Sequence, residues 1–123
     1  MRIEFQKEDN VPTVLDILFW KTAPGERRIV NGRELIDTTC QISRVMYSDK
    51  PMTLLTKTEA RQNPLDNYNK IVGKKVALAK AIANLVFLKP IRELGKESSM
   101  NLKRRLMRQH IWNVFHQTFG RWN

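Results

Sequence analysis

Residues 63–89 read NPLDNYNKIVGKKVALAKAIANLVFLK, and the change of pattern that begins there decides the fold. Asn63 offers a side-chain oxygen to the first free amides of a helix. Pro64 stands where no amide is needed, and Asp66 complements the positive end of the helix dipole. At about 100° per residue, Tyr68, Ile71, Val72, Leu78, Ala79, Ile82, Leu85 and Val86 fall in one sector. The spacing predicts a helix that runs on to Lys89 and is stopped by Pro90, with Ile71, Leu78, Ile82 and Leu85 buried. Gly95 and Ser98-Ser99 mark a loop and supply a serine cap. A second helix is expected from about Met100 to Phe119, with Met107, Ile111, Val114, Phe115 and Thr118 on one face. Ile111, Val114 and Phe115 read as core, whereas Trp112, Phe119 and Trp122 fit either core or interface.

Upstream of Asn63 the period is two. Ile3 and Phe5 alternate with Arg2, Glu4 and Gln6, as in a half-buried strand. The apolar run from Thr13 to Lys21 suits a strand buried on both faces or a short core helix, and Pro24-Gly25 breaks it. Asn31-Gly32, between Ile29-Val30 and Glu34-Leu35-Ile36, is a hairpin signal, because a type I′ turn needs two residues tolerant of positive φ. Thr38 to Tyr47 alternates again with Cys40 and Ile42 on one face. Asp49-Lys50-Pro51 makes a turn, and Met52 to Ala60 is strand-prone. The expected architecture is α+β: an antiparallel meander of four or five strands packed by two C-terminal helices. At 123 residues this is one domain, a sheet over 1–62 and a helical half over 63–123.

Charge separates the same two halves. Residues 1–69 hold ten Lys and Arg against ten Asp and Glu. Residues 70–123 hold twelve Lys and Arg against Glu93 and Glu97 alone, so the whole net charge of +10 lies there. A neutral sheet joined to a cationic helical half suggests a scaffold and a surface for an anionic partner. No apolar run is long enough to span a bilayer, the first residues lack the pattern of a signal peptide, and one cysteine allows no internal disulfide. A cytoplasmic protein without a membrane partner is the expectation.

Chemistry has little to work with. His110 and His116 lie six residues apart, about 120° from each other on a helix, and cannot hold one ion locally. Cys40 has no local signature of a nucleophile, and Gly73-Lys74-Lys75 has the wrong spacing for a phosphate loop. No catalytic site, no metal and no cofactor are expected. The cations are more informative. Lys70 and Lys74 share a flank with Ala77 and Ala81, where small residues let a phosphate backbone approach. Lys75 falls inside the apolar sector, where its stem covers the core edge while the charge reaches water, or where it pairs with a sheet acid or grips a ligand. Arg104, Arg105 and Arg108 open the second helix. These six residues form the expected nucleic-acid-binding set.

The stretch Asn63–Leu78, with Asp66, Tyr68, Asn69-Lys70 and Gly73-Lys74-Lys75 before Ala77-Leu78, followed by Arg108 and Ile111-Trp112, resembles a group of small uncharacterised phage-encoded proteins. That resemblance implies a phage origin, a sheet followed by helices, and no assigned activity. Lys74-Lys75, Ala77, Ala81 and Leu85 are also similar to the last helix of double-stranded-RNA-binding domains, although Leu78 stands where that pattern has a lysine. The expected function is that of a non-catalytic phage accessory protein contacting the phosphate backbone of DNA or RNA. The alternative is an inhibitor of a host nucleic-acid enzyme, of the anti-CRISPR or anti-restriction type, which grips an acidic host protein or a ribonucleoprotein.

Overall fold

Alternation in the first sixty residues and helical spacing afterwards give two layers. The computed structural model of the protein describes residues 1–5, 14–45 and 52–120. The strands are β1 (Arg2–Glu4), β2 (Val14–Lys21), β3 (Arg28–Val30), β4 (Arg33–Leu35), β5 (Thr38–Arg44) and β6 (Thr53–Ala60). The helices are α1 (Lys70–Ala83) and α2 (Ser99–Phe119), with single 3-10 turns at Pro24–Glu26 and Val86–Leu88. A four-stranded antiparallel sheet has the order β1-β2-β5-β6, and β3-β4 forms a separate ribbon. The class is α+β. The expected turn at Asp49-Lys50-Pro51, the end of the Thr38–Tyr47 run and Trp122 lie outside the described residues.

Register sorts the side chains into two faces, because residues directly opposite in an antiparallel pair point the same way. Ile3 faces Leu15, Ile17 faces Ile42, and Phe19 faces Cys40. Ile3, Leu15, Ile17, Cys40 and Ile42 are fully buried, on the face that the helices cover. The alternate residues Leu18 and Trp20 remain 44% and 40% exposed, so β2 is not buried on both sides. On that open face the Lys57 ammonium lies 5.4 Å from the Trp20 ring. The Asn31-Gly32 turn has φ of 52° and 79°, the positive values its residue types allow.

The first helix is shorter than its sequence period. It begins at Lys70, where the Asn69 side chain accepts from the amides of Ile71 and Val72 at 3.0 and 3.1 Å. Asn63 instead caps a local turn, accepting from Leu65 N at 2.9 Å. Of the three asparagines at 63, 67 and 69, Asn69 is the one that directly precedes the helix. Pro90 is not the stop, since α1 already ends at Ala83. Asn84 donates to Thr56 Oγ1 at 3.2 Å, and the chain turns into the 3-10 segment. Leu85 is buried there, whereas Val86 is 75% exposed.

α1 lies over β5 and β6, with Ala77, Leu78, Ala81 and Ile82 buried. The alanines therefore belong to the core, not to a flank open to a phosphate backbone, while Ala79 is exposed. Their small size lets the helix come close: Thr58 Oγ1 donates to Ala77 O at 2.7 Å. α2 starts after Ser98, whose Oγ accepts from Asn101 N at 3.2 Å. It covers β1 and β2, with Ile111 and Phe115 buried and Phe19 meeting Phe115 and Phe119 edge-on. Trp112 and Phe119 are half-buried members of this aromatic cluster, and Thr118 is exposed.

The ribbon is tied down by arginines. Arg28 donates from Nε and Nη2 to the two carboxylate oxygens of Asp37 at 2.8 and 2.7 Å, and to Gln62 O at 3.0 Å. Arg33 donates to the carbonyls of Pro64 and Asp66, both at 2.6 Å. These bonds fix the loop that leads into α1. The hydrogen bond from Arg28 holds the Asp37 carboxyl below its ordinary 3.8 against the opposing effect of burial, and the Gln62 amide adds to it. The folded state thus keeps Asp37 ionised to lower pH than the unfolded chain does. The stability it contributes is complete above 3.8 and is lost as pH falls through the lowered folded value. The urea midpoint should therefore fall from neutral pH to about pH 3, and less steeply in Asp37→Asn than in the wild type. Parallel curves would assign the acid sensitivity to other groups.

Candidate functional site

α1 and α2 together carry eight Lys and Arg and not one acid, and both lie on the same face of the sheet. They run antiparallel. Lys74, near the start of α1, holds its ammonium 4.2 Å from the Phe119 ring at the end of α2. Arg104, near the start of α2, donates to the carbonyls of Val86 and Lys89 beyond the end of α1, both at 2.8 Å. The six expected site residues are thus not gathered at one spot. Lys70 and Lys74 stand at one end of the helical layer, and Arg104 and Arg108 at the other. The rise of α1 from Lys74 to Ala83 alone separates them by about 14 Å.

The two ends differ in kind. Arg108 donates to Leu88 O, so both arginines are engaged by carbonyls of the 3-10 turn and its flank, Arg104 sharing Val86 O with the Lys89 amide. Lys80 likewise donates to Glu59 O on β6 at 3.0 Å. Arg105 is exposed on α2, and Lys75 is half-buried. At the Lys70 end the cations border open space instead. A hollow of about 260 Å³ lies between the end of β2 and the start of α1, lined by Phe19, Trp20, Lys21, Thr38, Tyr68, Lys70 and Lys74. A larger one, of about 560 Å³, opens beside the 61–69 loop and shares Thr38 and Tyr68. Strand alternation places the side chains of Phe19, Lys21 and Thr38 on the helix side, opposite to that of Trp20. Lys21 and Thr38 are direct cross-strand partners.

Lys21, Thr38 and Tyr68 are absent from any reading of the charge pattern alone. Lys21 sits in the neutral half, and only the β2–β5 register brings it under α1. Thr38 is 3% exposed, and its hydroxyl has no hydrogen-bond partner among the described residues. It rests against Gly73, where a Cβ would stand 2.4 Å from Thr38 Oγ1 and 3.2 Å from Thr38 Cβ. The glycine in mid-helix is therefore a point of close approach. Gly73→Ala should cost about 1–3 kcal/mol in denaturant melts, as overpacking does. A Thr38→Ala background should recover part of that loss, because the nearer of the two clashing atoms is gone. Full additivity of the two substitutions would rule out this contact as the cause.

Burial pushes the Cys40 thiol up to about 12, so it stays protonated at neutral pH. His110 Nε2 lies 3.1 Å from Glu4 O, and His116 stacks on Trp112. Among the described residues no three His, Cys, Asp or Glu side chains gather as for a metal, and no helix is long and apolar enough to cross a membrane. No family model matches the chain, and no curated protein or solved structure was found to match it.

Proposed function

We propose that the protein is a non-catalytic accessory protein that binds nucleic acid through the cationic helical layer. The observation that carries this reading is the charge distribution: every unit of the net charge of +10 lies in residues 70–123. The face formed by α1 and α2 has no acid to offset it. Release of condensed counterions from a phosphate backbone favours binding to such a face. The two cation groups, about 14 Å apart along α1, suit a strand lying across the layer better than one local phosphate. The resemblance to phage-encoded proteins points to a phage as the source.

Titration of plain DNA and RNA by electrophoretic shift, at several salt concentrations, tests the reading. Neutralising Lys70, Lys74 or Arg105 should weaken binding alike across sequences. Each should flatten the slope of log affinity against log salt by about 0.7–0.9. Lys57→Ala, on the opposite face of the sheet, should leave that slope unchanged. Arg104 and Arg108 also hold carbonyls, so their variants need melting curves beside the binding data. If the wild type binds neither nucleic acid at low salt but co-purifies with one host protein, the inhibitor reading takes its place.

A further inference from the structure

β6 is an edge strand, and its outer side is open. Val45 N donates to Val14 O and Thr22 N to Asp37 O, at the two ends of the β2–β5 ladder. The odd residues of β5 therefore turn their backbone groups to β2, and the even ones, Thr38, Cys40 and Ile42, turn theirs to β6. Their partners there are Ala60, Thr58 and Thr56. Lys57 and Glu59, between them, face outward. Among the described residues, Glu59 O accepts from the Lys80 ammonium, and the other outward backbone groups of the two have no partner. An edge strand of eight residues without proline or glycine is a template for another strand unless something deters it. Lys57 is such a deterrent, because it disfavours any strand that brings no acid to the position opposite.

We propose that a second copy of the chain supplies that acid. The two β6 strands pair antiparallel about a two-fold axis at Thr58 and join two four-stranded sheets into one. In this register Lys57 stands opposite Glu59 of the second copy, and Glu59 opposite its Lys57, each pair exchanging backbone bonds. An axis at Lys57 would set the two lysines face to face. An axis at Thr56 would carry the pairing into the break in register between Ile42 and Ser43. The helical layer accepts the axis at Thr58. α1 lies over β5 and β6, so its two copies run antiparallel about two strand spacings apart, about 9.5 Å. That falls within the roughly 8–10 Å at which helices pack. Asn84 on Thr56 and Lys80 on Glu59 O mark the flank of α1 that overhangs the edge. Val76, 42% exposed, and the exposed Ala83 lie on that flank and are small enough for close approach. One rotation thus covers both an open edge and an uncovered helix flank. The net charge of +10 on each copy opposes it, so the dimer is weak and is favoured by salt.

The dimer does not rest on the nucleic-acid reading and is tested without nucleic acid. Sedimentation equilibrium of the full chain at moderate salt, from micromolar to millimolar concentration, should give a dissociation constant of roughly 10–100 μM. At the lower concentrations of a nucleic-acid titration the chain is a monomer, so Lys57→Ala remains a control there. Lys57→Glu sets like charges opposite each other twice and should weaken association about tenfold or more. Lys57→Glu combined with Glu59→Lys restores opposite charges in the same register and should return the constant to within about threefold of wild type. Both positions are exposed, so the melting temperature of the dilute chain should hold. Val76→Lys should also weaken the dimer, whereas Leu106→Lys, the same added charge at an exposed position of α2, should not. The amides of Lys57 and Glu59 should exchange hydrogen more slowly as concentration rises. A chain that stays monomeric at about 1 mM would overturn the proposal. So would a dimer indifferent to Lys57→Glu, or one that the combined exchange fails to restore.

Discussion

Asn101→Ala is expected to lower the free energy of unfolding by about 2–4 kcal/mol, since it leaves two polar groups without a partner and each costs about 1–3 kcal/mol when buried. Asn101 is 7% exposed and sits in the first turn of α2. Its side-chain oxygen accepts from Ile91 N at 2.7 Å, and its amide donates to the carbonyls of Ile91, Leu94 and Gly95 at 3.0, 3.1 and 3.0 Å. One side chain thus satisfies a donor and three acceptors in the segment that joins the two helices. Turns in that segment supply two further donors, Leu94 N to Ile91 O at 3.2 Å and Ser98 N to Gly95 O at 3.0 Å. Alanine leaves Ile91 N and Leu94 O without a partner, while Ile91 O and Gly95 O keep the amides of Leu94 and Ser98. Asn101→Asp discriminates among the bonds. It keeps the acceptor for Ile91 N but turns a carboxylate toward three carbonyl oxygens, so its loss at neutral pH should equal or exceed that of alanine. Equilibrium unfolding in denaturant measures both, and a loss below about 1 kcal/mol for alanine would mean that the 91–95 segment is readily rehydrated.

Asn101 also shows where the sequence stops speaking. On a helical wheel it is a polar residue near a cap, and nothing in its spacing marks it as buried. Its role depends on where the 91–95 loop lies, which no local pattern encodes. The elements themselves were legible, because their signals are local: the alternation of β1 and β5, the strand-prone run of β6, the Asn31-Gly32 turn, and the Ser98 cap before a long apolar stripe. The boundaries of α1 were not. Asn63, Asn67 and Asn69 are chemically equal as caps, and the arginine bonds that hold the 62–67 segment in a loop come from a distant ribbon. The rotation of α1 was misread in part for a related reason. Alanine is neutral in an apolar pattern, so Ala77 and Ala81 took their reading from Lys70 and Lys74 beside them, while in the fold they are the contact that lets α1 approach β6. Charge segregation was plain from composition. Its division into carbonyl-bound Arg104 and Arg108 at one end, and Lys70 and Lys74 around a hollow at the other, required the antiparallel packing of the helices. Lys21 joins that hollow only through its pairing with Thr38.

Phe115→Ala should cost about 3–5 kcal/mol, the range for truncating a fully buried aromatic ring. Phe115 is 0% exposed and is the largest of the fully buried side chains. Its ring centroid lies 5.8 Å from that of Phe19 on β2, 5.6 Å from Trp112 and 5.1 Å from Phe119. The ring is therefore the point at which α2 is fastened to the sheet, and no neighbour is small enough to move into the space it leaves. Phe115→Leu keeps most of the apolar volume and should cost less, about 1.5 kcal/mol. Leu106→Ala, on the same helix but 59% exposed, should stay within about 0.5 kcal/mol. The order of the three variants in denaturant melts checks the orientation of α2, because a helix turned the other way would reverse the alanine pair. A second readout follows from geometry. Phe119 packs on Phe115 and lies under the Lys74 ammonium, so loosening the cluster frees the wall beside the cationic hollow. At temperatures where Phe115→Leu remains folded, its anion affinity should fall while the salt slope, which counts contacts and not their rigidity, stays that of the wild type.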